Sequence, residues 1–167
     1  NAIVLTGAGE RACSAGRDVK NADNLPADEF NRMRRRENEA YTATLLACEK
    51  PLVAAVNGVA VGAGWMLAMH ADQVVAAEHA VFSMPEVDIG IATFVGHALL
   101  SELVDGAVAN DLVLTGRKMD AAEALRHRLA HAVVPAARLM EEAEARAALL
   151  AAKPSVTVRD MKRWVLA

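Results

Sequence analysis

The chain has 167 residues, of which 54% are hydrophobic and 23% charged, and its formal net charge is −3 at pH 7. This length is enough for one domain with a sizeable buried core. The net acidity and the lack of a long basic tract argue against nucleic acid as the main partner. Charged residues interrupt every apolar run, so we expect no membrane partner. Two cysteines without a signal-peptide pattern favour reduced thiols and a cytoplasmic location.

Alternating apolar residues and turn signals predict the elements of the first half of the chain. A strand over residues 2–6 leads into a loop that ends near Lys20. Pro26 opens a long helix, because proline is favoured in the first helical turn. A second strand over Leu52–Val56 precedes a glycine-rich turn and a short helix over residues 62–70.

The second half continues the alternation of strands and helices. We expect strands over Gln73–Ala77 and Val81–Ser83 and helices from about Phe94 onward. Helical periods follow at 107–114, 120–128, 136–152 and 155–166. Alternation of this kind is typical of an α/β fold with βαβ units. The sequence therefore predicts a core over residues 1–116 and a mostly helical region over residues 117–167.

Two glycine-rich turns after strands are candidates for the chemistry. Gly62 and Gly64 lack side chains, so a substrate oxygen could reach the N–H groups at the start of the following helix, which have no intrahelical partners. Such groups suit a developing anion. The alternative is that these glycines only allow a helix to pack closely on a strand. A second strand-and-glycine segment, VLTGAGERACSAGRDVK at 4–20, could face the same oxygen.

Four ordered motifs resemble those of the crotonase superfamily, the enoyl-CoA hydratase and isomerase family. They are LTG at 5–7, SAGRDVK at 14–20, KPLVAAVNGVAVGAG at 50–64 and PEVDIG at 85–90. The resemblance implies an α/β fold of the ClpP/crotonase type, a spiral of ββα units with a C-terminal helical region. Family members carry strands before Asn1 and a helical tail after Ala167, so we expect a fragment or an incompletely ordered chain whose N-terminal strands are missing and whose trimerisation part is truncated.

The resemblance also implies the ligand and the assembly. The substrate would be an acyl-CoA thioester, so coenzyme A is part of the substrate, and no separate cofactor or metal is expected. The helical region would mediate contacts in a homotrimer or a dimer of trimers. The family's oxyanion hole, a pair of backbone N–H donors to the thioester oxygen, matches Arg17 and Ala63. Its coenzyme A segment matches Ala15, Asp18, Val19 and Lys20, of which Asp18 and Lys20 could instead be a helix cap and a surface charge.

The acid–base residues separate this chain from a hydratase. Family hydratases have one glutamate two residues after the second glycine of G-x-G and another in PE-x-x-x-G; here these positions are Met66 and Glu86. Hydration calls for two groups that move protons, whereas one carboxylate can carry a proton between two carbons. The sequence therefore favours an enoyl-CoA isomerase with Glu86 as acid and base. Apolar flanks would bury Glu86, and burial raises the pKa of a carboxyl, although an ordinary loop carboxylate is the alternative.

The remaining candidates concern the acyl pocket and a second catalytic group. Asp88 would share the face of Glu86 if the segment is extended. His97 has a side-chain type that titrates near neutrality, but a lone histidine on a helix is more often a core or surface residue. The expected pocket residues are Gly62, Gly64, Met66, Phe94 and His97.

Two alternatives to the isomerase stay open at this point. The chain could be a hydratase, or another crotonase lyase or hydrolase, in which His97 or Asp88 supplies the second group. It could also be a non-catalytic protein that binds acyl-CoA, in which Met66 and Phe94 fill the space of a lost site.

Overall fold

The computed structural model describes residues 1–18 and 26–165. Its strands are β1 (Ile3–Thr6), β2 (Ala12–Ser14), β3 (Leu52–Val56), β4 (Val59–Val61), β5 (Gln73–Ala77), β6 (Val81–Ser83), β7 (Met119–Asp120) and β8 (Ala132–Val134). Its α-helices are α1 (Ala27–Leu46), α2 (Ala63–Met69), α3 (Phe94–Leu103), α4 (Gly106–Thr115), α5 (Ala121–Arg126), α6 (Leu139–Ala151) and α7 (Ser155–Val165). Short 3₁₀ helices cover Pro85–Ile89 and Ala136–Arg138.

The strands form two four-stranded sheets, and successive strands from β1 to β6 alternate between them. One sheet has the order β1-β3-β5-β8 and the other has the order β2-β4-β6-β7. All pairs are parallel except β6 with β7. Each of the first three strand pairs sends its first member to one sheet and its second member to the other, and a helix follows. This repeat is the predicted succession of ββα units.

Four short strands were not predicted: β2, β4, β7 and β8. Two or three residues are too few to produce an alternating pattern, so these strands are defined by their pairing with neighbours. The last two lie beyond Gly116, where the sequence predicted helices. They add β7 to β6 and β8 to β5, so this region completes both sheets. The division at residue 116 stays a prediction.

The core is built on β3 and β5, whose residues alternate between two buried clusters, as period-2 strands require. On one side, Val53 and Val75 pack with Leu139 of α6. On the other side, Val56 and Val74 pack with residues of α2, α4 and the second sheet. Both faces are covered, which explains why β3 is apolar throughout and β5 is apolar after Gln73. The helices that cover them come from segments far apart in the sequence.

No described helix is both long and apolar enough to cross a bilayer.

Two leucines of α4 allow a matched test of this core. Leu112 is fully buried, whereas Leu114 is 70% exposed on the same helix. Leu112→Ala should lower the free energy of unfolding by about 2–5 kcal/mol, because it removes buried methyl groups and leaves a cavity. Leu114→Ala should change it by less than about 1 kcal/mol. Denaturant unfolding measures both; equal losses would mean that α4 does not pack as described.

Candidate active site

Three parallel strands bring the predicted chemical groups to one edge of the second sheet. β4 pairs in parallel with β2 on one side and with β6 on the other. Parallel strands end at the same edge, where open α/β sheets bind ligands. Arg17, Ala63 and Glu86 each follow the end of one of these strands within three residues. The predicted oxyanion donors and the predicted base therefore lie at a common edge.

The two donor turns touch each other closely. Gly16 has φ +86°, and a Cβ there would lie 2.6 Å from the Val61 oxygen and 3.5 Å from the Ala63 nitrogen. A Cβ on Gly64 would lie 2.6 Å from Cβ, O and Oγ of Ser14. Real Cβ atoms do not approach other atoms so closely, so only glycine allows these contacts. The close packing proposed above as an alternative is present, and it is what brings the two turns together.

The carboxyl group of Glu86 lies beside the start of α2. Glu86 is half-buried in the 3₁₀ helix Pro85–Ile89, and its Oε2 atom is buried. Gly62, immediately before α2, has φ +52°, and a Cβ on it would lie 2.5 Å from Oε1 of Glu86. The lack of a side chain at Gly62 therefore makes room for the carboxyl group next to Ala63.

A cavity of about 380 Å³ opens at these turns. Part of its wall is apolar and comes from α2 and α3, and part is polar and comes from α1. Its lining residues are Ser14, Gly16, Arg17, Glu37, Asn38, Tyr41, Thr42, Ala63, Gly64, Met66, Leu67 and Val95. The volume lies in the range of small-molecule sites. Both predicted donor residues contribute to the wall.

The family described as enoyl-CoA hydratase/isomerase matches residues 1–167. The chain belongs to this family, within the crotonase superfamily. It is 38% identical over 162 residues to a carnitinyl-CoA dehydratase of Salmonella arizonae. The aligned residues make up 95% of this chain and 60% of that relative. A carnitinyl-CoA dehydratase of Proteus mirabilis is 36% identical over the same shares. The chain thus spans 60% of the length of these relatives.

Solved structures confirm the crotonase fold. An enoyl-CoA hydratase from Bacillus anthracis superposes with a TM-score of 0.91 at 31% identity, over 99% of this chain and 64% of that one. A carnitinyl-CoA dehydratase from Mycobacterium avium gives a TM-score of 0.83 at 34% identity, over 98% and 64%. The recognition of the family and the fold class from sequence motifs is therefore confirmed.

Met66 is the residue that the sequence motif matches to the first glutamate of the family hydratases. It is 8% exposed, and its Cε would lie 3.0 Å from a Cβ on Gly96. The hydroxyl of Thr93 would lie 2.6 Å from the same point. Thr93 is also 8% exposed, and its Oγ1 has no hydrogen-bond partner among the described residues. A buried hydroxyl therefore adjoins Met66; no sequence motif pointed to it.

Of the five residues predicted for the acyl pocket, Gly64 and Met66 line the cavity, whereas Gly62, Phe94 and His97 do not. Phe94 is 81% exposed, and His97 is exposed with its Nε2 2.9 Å from Oδ1 of Asn110. Neither lines the cavity, whereas Val95 does. Because α3 begins at Phe94, successive residues turn about 100° around the helix axis, and Val95 is the one directed toward the cavity.

The condition for Asp88 to share the face of Glu86 is not met, because the segment is not extended. Glu86 and Asp88 lie in a 3₁₀ helix, which has three residues per turn, so side chains two residues apart point to different sides. Asp88 is exposed, and its Oδ2 would lie 3.1 Å from a Cβ on Gly116. It does not accompany Glu86 toward Gly62.

The predicted coenzyme A segment is described in part. Ala15 and Asp18 are exposed next to the first donor turn, and Val19 and Lys20 lie outside the described residues. The guanidinium of Arg17 pairs with Glu37 and donates to Oδ1 of Asn38 at 2.9 Å. This leaves the backbone N–H of Arg17 as the group of that residue proposed to meet the thioester. Within the described residues, no cluster of three His, Cys, Asp or Glu could hold a metal.

Gly64→Ala tests whether contact between the two turns is needed. The added methyl group should force α2 away from Ser14 and lower the free energy of unfolding by about 1–3 kcal/mol. Gly106→Ala is the matched control, since nothing lies within 4 Å of its added Cβ. Denaturant unfolding measures both variants. A Gly64→Ala protein as stable as the control would show that the turns need not touch.

Proposed function

We propose that the protein binds an acyl-CoA thioester, stabilises its enolate and shifts a carbon–carbon double bond, with Glu86 as the single acid and base. The observation that carries this proposal is the composition of the site. One carboxyl group, that of Glu86, lies beside Ala63 at the strand edge, while Met66 occupies the place of a second one. Glu37, the carboxylate among the described lining residues, is engaged by Arg17.

The proposed reaction moves one proton and adds no atoms. The thioester oxygen accepts hydrogen bonds from the N–H groups of Arg17 and Ala63. Glu86 removes a proton from C2 of a 3-enoyl thioester, and the resulting enolate places negative charge on that oxygen. Preorganised donors of this kind stabilise such charge by several kcal/mol. Glu86 then returns the proton to C4, so the double bond moves from C3–C4 to C2–C3.

A hydratase or dehydratase is the second candidate. The similar proteins from Salmonella arizonae and Mycobacterium avium are both named carnitinyl-CoA dehydratases. That reaction needs a polar group near C3 to hold water or a departing hydroxyl. The hydroxyl of Thr93 lies near Met66, but Thr93 does not line the cavity, and neither side chain can accept a proton at neutral pH. Asp88 adjoins Gly116 and His97 contacts Asn110, so neither lies beside Gly62 as the carboxyl group of Glu86 does. This composition therefore favours proton transfer between carbons over addition of water.

The binding-only alternative has less support. It required Met66 and Phe94 to fill the space of a lost site. The cavity is open beside Met66, and Phe94 is 81% exposed. We therefore retain catalysis as the proposal. A homotrimer or dimer of trimers and a cytoplasmic location remain expectations from the family.

The deciding experiment is incubation with matched 3-enoyl-CoA and 2-enoyl-CoA substrates, followed by mass spectrometry and absorbance. Isomerisation leaves the mass unchanged and creates the conjugated 2-enoyl chromophore. Hydration adds one water and removes that chromophore. Rapid water addition to the 2-enoyl substrate without any isomerisation would replace the first proposal with the second.

Glu86→Gln should lower kcat by about 10²–10⁴-fold, because the amide keeps the shape of the side chain but cannot accept the C2 proton. Binding of a saturated acyl-CoA should survive, as measured by calorimetry. Asp88→Asn makes the same chemical change at an exposed position two residues away and should leave kcat near that of the wild type. Equal activities of the two variants would remove Glu86 from the reaction.

Met66→Glu should raise the rate of water addition to a 2-enoyl-CoA, since it supplies a second proton-transfer group beside Thr93. The gain should be small, because burial among apolar atoms disfavours the charged form of a carboxyl. Met66→Gln is the matched control, with similar shape and no proton to transfer. Product mass measures hydration. An equal gain in both variants would mean that polarity at position 66, and not proton transfer, limits the reaction.

A further inference from the structure

The helix α1 contacts both turns that supply the proposed oxyanion donors. Its Glu37 and Asn38 hold the guanidinium of Arg17, the first donor residue. One helical turn later, the hydroxyl of Tyr41 lies 3.5 Å from the carbonyl oxygen of Ala63, the second donor residue. All five residues line the same cavity. Consecutive turns of one helix thus contact the two halves of the oxyanion hole.

Tyr41 is itself fixed against α2. Its ring meets that of His70 edge-on, with the centroids 6.2 Å apart and an interplanar angle of 83°. His70 directly follows the last residue of α2, and its Nδ1 lies 2.7 Å from the carbonyl oxygen of Met66. Tyr41 therefore touches the first residue of α2 with its hydroxyl and the last turn with its ring. Burial raises the pKa of Tyr41 to about 12, so at neutral pH the hydroxyl is protonated and able to donate.

The strand pairing that leads into the first donor turn is irregular. β2 pairs with β4 through Ala12 with Val59 and Ser14 with Ala60, with a shift of register between the two pairs. Such an irregularity interrupts the ladder just before the turn that contains Arg17. A second attachment to that turn comes from α1, through the side chain of Arg17.

We propose that α1 positions the two oxyanion donors relative to each other, with Glu37, Asn38 and Tyr41 as positioning residues. This inference rests on the proposed function, because a reaction that places negative charge on the thioester oxygen needs both N–H groups aimed at that oxygen. Misplacing a catalytic group by about 1 Å can cost on the order of 10²-fold in rate. Removing these side chains should therefore weaken stabilisation of the enolate and leave ground-state binding of acyl-CoA nearly unchanged.

The test uses the intact protein and acetoacetyl-CoA, a thioester whose enolate absorbs in the near ultraviolet. Tyr41→Phe removes the hydroxyl, and Thr44→Ala is its matched control, because Thr44 is exposed and bonds to Ala40 of its own helix. Glu37→Gln removes the charge that holds Arg17, and Glu39→Gln is the control at an exposed position on α1. Circular dichroism and thermal unfolding confirm that each variant is folded.

For Tyr41→Phe and Glu37→Gln, we expect enolate absorbance at saturation and kcat for a 3-enoyl-CoA to fall about tenfold or more, short of the roughly 10²–10³-fold cost of deleting an oxyanion donor. The dissociation constant for a saturated acyl-CoA should stay within about twofold. Wild-type signals in both variants would overturn the proposal. A dissociation constant that rises in step with the loss of kcat would also overturn it, because the side chains would then bind substrate.

Failure of this inference can be told apart from failure of the proposed function. A wild-type protein that forms the enolate but does not isomerise 3-enoyl-CoA would refute the proposed reaction, and the absorbance of the variants would still decide the role of α1. A wild-type protein that gives no enolate absorbance would refute both, since the donors would not act on a thioester oxygen.

Discussion

The candidate site depends on the parallel pairing of β4 with β2 and β6. Parallel strands bring the segments after their carboxyl ends to one edge of the sheet, and here those three segments carry Arg17, Ala63 and Glu86. A hydrogen bond of 2.9 Å from the Gly62 nitrogen to the Ser83 oxygen continues the pairing beyond β4. The contacts at Gly16 and Gly62 then bring the segments closer than any other residue would permit. Changing any of these pairings would move a chemical group away from the others.

The expected difference from the family hydratases at position 66 is compatible with the fold because of the surroundings of Met66. Met66 is buried with Met84 and the other apolar residues of the main core. A carboxylate in such surroundings would need hydrogen bonds or a charged partner to offset its lost hydration. Methionine is flexible and apolar, so it fills this space without that cost. The proposed oxyanion donors are backbone N–H groups, and they do not depend on which side chain stands at position 66.

Much of the fold was predictable because its strongest signals are local. The apolar run Leu52–Val56 and the start of α1 after Pro26 are found where the sequence predicted them. The structure places Arg17, Ala63 and Glu86, the residues that the site motifs singled out, at one sheet edge. The short strands β2 and β4 were missed because pairing, not composition, defines them. The 3₁₀ helix at Pro85–Ile89 was not predicted, and it removes the condition under which Asp88 would share the face of Glu86.

The parts of the site that could not be predicted come from tertiary contacts. Tyr41 and Thr93 belong to no motif, and only folding brings them next to Ala63 and Met66. Phe94 was assigned to the pocket from its apolar character, but the start of α3 directs Val95 there instead. A sequence records which residues are apolar or titratable; the rotation of a helix about its axis depends on the surfaces that it packs against.

The most direct test of the proposed oxyanion hole is a crystal structure with a saturated acyl-CoA bound. We expect the thioester oxygen at about 2.7–3.1 Å from both the Arg17 and the Ala63 nitrogens. We also expect C2 of the acyl group to face the carboxyl group of Glu86. A thioester oxygen that contacts neither nitrogen, or a C2 atom directed away from Glu86, would contradict the claim that these three strands converge on one reacting group.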